Sequence, residues 1–132
     1  MKKENKKIIV GRWLKKVQED ELNILSILKH RDGTPGAVCF LSQQMAEKCF
    51  KALLIFFDME VEKTHDLQKL NFLLTNNIPE IKDINKEIIL LNRYYIETRY
   101  VGDFPEFLWC DAEEAYKSAE KVKEFVLRKI TK

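Results

Sequence analysis

The chain has 132 residues, 45% of them apolar and 33% charged, and its 23 Lys and Arg against 21 Asp and Glu leave a net charge of only +2. That length suggests one domain, spanning 1–132, with a core of its own, and the near balance of charge argues against a dedicated duplex-binding protein. No apolar run approaches the ~18 residues of a membrane span, ALLIFF at 52–57 being too short, and no signal-peptide core follows the first lysines.

MKKENKK, residues 1–7, reads as a solvated, frayed start that covers about residues 1–8. A first helix is expected from Gly11 to His30. Trp13, Leu14, Val17, Ile24, Leu25 and Leu28 recur at helical spacing, with Val10 just ahead of them. The stripe is interrupted by Asp20 and Glu21. His30 and Arg31 suit the negative end of the helix dipole, and DGTPG, Asp32 to Gly36, is a turn.

A second helix is expected from Val38 to Phe57. Met45, Ala46, Cys49, Phe50, Leu53, Phe56 and Phe57 line one face, and Gln43, Gln44, Glu47, Lys48 and Lys51 supply the polar side. It is nearly apolar all round toward its end, which marks a central helix. EVEKT, Glu60 to Thr64, is a linker. Thr64 is the expected cap of a third helix carrying Leu67, Leu70 and Leu74 and ending at Asn76 and Asn77. Pro79 suits the first position of a fourth helix, with Ile81, Ile84, Ile88, Leu91 and Tyr95 as its stripe, fading near Arg99. A loop holds Gly102 to Cys110. Asp111 with Glu114 has the pattern of a capping box for a last helix, whose stripe of Ala112, Ala115, Ala119, Val122, Val126 and Ile130 is narrow. No segment alternates with period two. The expected fold is all-α, an up-and-down bundle of four to five helices.

Cys39, Cys49 and Cys110 form no CxxC pair, and an odd count without a signal peptide suggests reduced thiols in the cytoplasm. His30 and His65 have no partners at ligand spacing, so no metal site is expected. GxxxxGK[ST], GxGxxG, HExxH and GxSxG are absent, and no cofactor is expected.

Three places stand out chemically. Asp20 sits on the apolar stripe, where a carboxylate must be paired or reach water. It reads either as a seam carboxylate with a lysine neighbour or as a group ordering a base across the bundle. His65, in Thr64-His65-Asp66, is either part of a helix start or a general base at a bundle end. Arg93, Tyr94, Tyr95, Arg99 and Tyr100 crowd a helix end, with Tyr95 expected to pack inward. Arg99 offers a fork of donors to a phosphate or pairs with Asp20. Tyr100 offers a ring for stacking, and such groups also suit a dimer contact.

Gln44-Met45-Ala46-Glu47-Lys48 with Lys51-Ala52-Leu53, then Thr64-His65-Asp66-Leu67, then Tyr95 with Arg99-Tyr100, in this order before an alanine-rich last helix, resemble the HEPN domain over about residues 11–130. The resemblance implies a helical bundle, a homodimer with a cleft between protomers, and ligand contacts from Arg99, Tyr100, Tyr95, Arg93 and Lys48. It also implies a minimal nucleotidyltransferase as partner in a toxin–antitoxin pair, a nucleotide or RNA as ligand, or metal-independent RNA cleavage. The ribonuclease branch of that family carries Arg, four to six arbitrary residues, then His. Here YYIETRY follows Arg93 and YVGDFPEF follows Arg99, so the linear motif is missing. A binding module is therefore favoured over a ribonuclease with a rearranged site of His65, Arg99 and Asp20. A purely structural adaptor is the third reading.

Overall fold

The computed structural model describes residues 2–97 and 106–131. It is an all-α bundle with no strand among the described residues. The order is α1 (Lys3–His30), α2 (Pro35–Phe56), α3 (Leu67–Leu74), a 3-10 segment (Pro79–Ile84), α4 (Asn85–Asn92), α5 (Tyr94–Glu97) and α6 (Trp109–Ile130).

α2 is the central helix, as its apolar sequence requires. The Thr34 hydroxyl caps it by accepting the Ala37 N–H at 3.2 Å, and Pro35 occupies the first turn, where its missing N–H costs nothing. It packs against α1, α3, α4, α5 and α6. Val38, Met45, Cys49, Phe50, Leu53 and Leu54 of α2 meet Val17 and Ile24 of α1, Leu67, Leu70 and Leu74 of α3, Ile88 and Leu91 of α4, and Ala115, Ala119 and Val122 of α6. The three α6 alanines at 112, 115 and 119 are fully buried.

Several boundaries differ from expectation, each for a local reason. Residues 3–8, expected to fray, are helical and mostly exposed. No Gly or Pro precedes Gly11 to stop the helix. The Lys6 ammonium reaches the Asp58 carboxylate at 3.2 Å and lies 5.5 Å from the Phe56 ring centroid, tying this turn to the end of α2. Asp66, not Thr64, caps α3. Its Oδ1 accepts the N–H groups of Gln68 and Lys69 at 2.9 and 3.3 Å, and the Thr64 hydroxyl accepts the Asp66 N–H instead. α6 begins two residues before Asp111. That carboxylate stands at the third helical position and accepts the Leu108 N–H at 2.8 Å. The fourth expected helix is divided into the 3-10 segment, α4 and α5, with a turn at Arg93. The deeply buried tyrosine is Tyr94, 1% exposed, three residues beyond Leu91 and edge-on to Phe107. Tyr95 lies half-buried beside it.

The interruption of the α1 stripe has a partner. Glu21 accepts from Lys123 at 2.7 and 2.9 Å and from the Tyr116 hydroxyl at 2.8 Å, joining α1 to α6.

Candidate ligand-binding site

Three polar side chains run down one face of α2 at one-turn spacing: Gln43, Glu47 and Lys51. All are buried, at 0%, 3% and 8% exposure. Uncompensated polar and charged groups are expensive there. Each is satisfied. Lys51 Nζ donates to Glu47 Oε2 at 2.8 Å. The other oxygen, Oε1, lies 2.9 Å from His65 Nδ1. Gln43 Nε2 donates to the main-chain carbonyl of His65 at 2.9 Å, while its Oε1 accepts from Gln44 Nε2 at 2.6 Å. One helix thus holds both the ring and the backbone of His65.

The His65 imidazole also lies against Tyr95, centroids 4.3 Å apart and planes 14° from parallel. Tyr95 continues the stack to Phe40 at 6.3 Å. The segment carrying His65 is clipped to α4. Asn92 Nδ2 donates to Asp66 Oδ1 at 3.0 Å, and Asn92 Oδ1 accepts the Leu67 N–H at 2.7 Å. Around the ring is a cleft of about 400 Å³ lined by Lys63, Thr64, His65, Asp66, Asn92 and Tyr95. The His65 side chain remains 48% exposed in it. Because a carboxylate only accepts, the Glu47 contact places a ring proton on Nδ1, and in the neutral imidazole that leaves Nε2 as an acceptor. The assembly has what proton transfer or hydroxyl recognition requires.

Residues singled out from sequence part company here. His65 and Tyr95 meet in the cleft. Asp20 and Lys48 do not line it; they pair with each other at 2.7 Å across the α1–α2 seam. Arg93 lies over the Tyr94 ring, 5.2 Å from its centroid, and lines a separate groove between α4 and α6. Arg99 and Tyr100 lie outside the described residues. Sequence reasoning missed Gln43, Glu47, Lys51 and Asn92 as parts of the site. The signal for the first three was their four-residue spacing along a helix otherwise buried. No group of His, Cys, Asp and Glu suited to a metal occurs among the described residues. No described helix is long and apolar enough to cross a membrane.

A model of the HEPN domain matches residues 12–130. The chain belongs to the HEPN domain family. The crystal structure of ST0689, an archaeal HEPN homologue, superposes with a TM-score of 0.73 at 29% identity, covering 92% of this chain and 97% of the other. That of TT1696 from Thermus thermophilus gives 0.75 at 27% identity, covering 91% and 97%. A comparison with curated proteins found no match. In this HEPN domain, then, the His65 cleft sits where the loop before α3 meets the junction of α4 and α5.

Proposed function

We propose that this HEPN protein is a binding module for a nucleotide or a short RNA segment, seated in the His65–Tyr95 cleft. The observation that carries the reading is an exposed imidazole held on a ring stack within a polar cleft. Aromatic stacking tolerates any base, and Lys63, in the lining of the cleft, offers a cation to phosphate. Arg99 and Tyr100, four and five residues beyond Tyr95, belong to the same proposal on sequence grounds. A homodimer as working unit, and a minimal nucleotidyltransferase as partner in a toxin–antitoxin pair, are parts of the proposal supported by family membership. Sedimentation of the purified chain and its co-purification with such a partner test them.

Fluorescence anisotropy with a labelled ribo-oligonucleotide tests the ligand. Tyr95→Ala and Arg99→Ala are each expected to weaken binding about tenfold, roughly 1.4 kcal/mol. Binding unchanged in both variants, or absent from the wild type, overturns the reading.

One observation favours a second reading, metal-independent RNA cleavage. The Glu47–His65 contact orients an imidazole as a general base toward a 2′-hydroxyl. Cleavage that persists in EDTA and disappears in His65→Ala is the expected result. RNA left intact at high protein concentration rules it out.

A further inference from the structure

We infer that Glu47, backed by Lys51, is a positioning residue that holds His65 as its Nδ1–H tautomer and presents the Nε2 lone pair to the cleft, a role that rests on reading the cleft as a ligand site.

Two ion pairs that involve α2 make an internal comparison, Glu47–Lys51 buried within the helix and Lys48–Asp20 part-buried and reaching across to α1. Lys48 and Asp20 pair at 2.7 Å, and Asp20 engages no third group among the described residues. That is what a seam contact needs. Glu47 already has Lys51 at 2.8 Å, a sufficient partner one turn along the same helix. Its second oxygen, which Gln44 Nε2 also approaches at 3.4 Å, nevertheless reaches out of the helix to an imidazole that is half exposed. Packing alone does not call for that link, because a half-exposed imidazole can bond water at both nitrogens.

The restraints on His65 are complementary. The Tyr95 stack sets the plane of the ring. Glu47 sets its rotation within that plane. Gln43 holds the backbone from which it springs. Nδ1 faces the buried carboxylate, so Nε2 lies on the exposed side, with no hydrogen-bond partner among the described residues. A neutral imidazole in water prefers the proton on Nε2. The carboxylate reverses that preference, since it has no proton to give. What the cleft then offers is an acceptor, suited to a hydroxyl donor. A ribose 2′-hydroxyl beside a stacking surface meets that chemistry and a deoxyribose does not. Lys51 completes the arrangement by compensating the buried charge of Glu47 at 2.8 Å.

The test needs no ligand. Long-range proton–nitrogen correlation spectra of the ¹⁵N-labelled full chain report the tautomer of each neutral imidazole. The chain has only 2 histidines, so exposed His30 serves as the internal reference. His65 is expected in the Nδ1–H form and His30 in the ordinary Nε2–H form. In Glu47→Gln the single amide oxygen serves Lys51, the amide nitrogen faces His65, and the tautomer reverts to Nε2–H. Adding Lys51→Met frees that oxygen for His65 and restores Nδ1–H. An Nε2–H tautomer in the wild type, or an unchanged spectrum in Glu47→Gln, overturns the inference. The wild-type spectrum decides even where a variant does not fold. Failure of RNA to bind would remove the proposed ligand and leave this result standing, so the two fail separately.

Discussion

Lys51 has 8% of its surface exposed, its ammonium lies 5.8 Å from the Trp13 ring centroid, and Glu47 neutralises it. Removing one member of such a pair strands the other. Glu47→Leu is expected to cost about 3–5 kcal/mol, while Glu47→Leu with Lys51→Leu recovers most of that loss, because an apolar pair of similar volume needs no compensation. Urea unfolding of the two variants makes the comparison, and a double variant no more stable than the single one counts against it. The buried thiols give a second prediction. Burial pushes Cys39 up to about 12, with Asp111 adding to the rise, and burial does the same to Cys49 against the pull of Lys123. Cys110 is exposed. Iodoacetamide at pH 8 should therefore leave a single adduct on the native chain, on Cys110, as read by intact mass. In the unfolded chain all thiols ionise near their ordinary value of about 8.5. Between there and about 12 the unfolded state holds fewer protons than the folded one, so stability falls as pH rises through that window. Unfolding midpoints that stay level from pH 8.5 to 11 would contradict this.

Helix α3 has only eight residues, too few to stand alone in water. Its start depends on Asp66 as cap and on Asn92, which bonds both Asp66 and the Leu67 N–H from the end of α4. Asn92→Ala leaves that backbone donor without its acceptor and is expected to cost about 1–2 kcal/mol. It also loosens the segment that carries His65, so amide exchange should rise at residues 64–68 and stay level in α2. Uniform exchange across both would refute the local role. At this scale the sequence was legible where apolar spacing decides and less so where a side chain decides. The stripes of α1, α2 and α6 located their helices. Asp66 and Asp111 had the chemistry of caps, but which backbone amide each would accept depends on where the chain turns, and spacing does not show that. The apolar run through Leu91 and Tyr95 read as one helix, because the turn at Arg93 contains neither Gly nor Pro.

The bundle as a whole was legible because α2 is apolar on nearly every side, and such a helix has to be surrounded. The site was half legible for the same reason. His65 and Tyr95 stood out as chemistry at helix ends. Gln43, Glu47 and Lys51 read only as the polar side of α2, and polar groups usually face solvent. Only the fold shows that His65 lies against Gln43 and Glu47, that Trp13 of α1 lies beside Lys51, and that the polar stripe is buried. The opposite side of α2 is closed by α6, and there size rather than polarity matters. Ala115 and Ala119 are fully buried where α6 packs on α2, Leu53 and Leu54 lying in the same core. Closely packed interiors resist added methylenes. Ala119→Leu is expected to destabilise the chain by about 1–3 kcal/mol, whereas Lys117→Ala, on the exposed face of the same helix, stays within about 0.5 kcal/mol. Urea midpoints should fall for the first at an unchanged m-value, since the folded surface is the same. An Ala119→Leu chain as stable as the wild type would mean that the α2–α6 seam has room to spare, and the narrow alanine stripe would need another explanation.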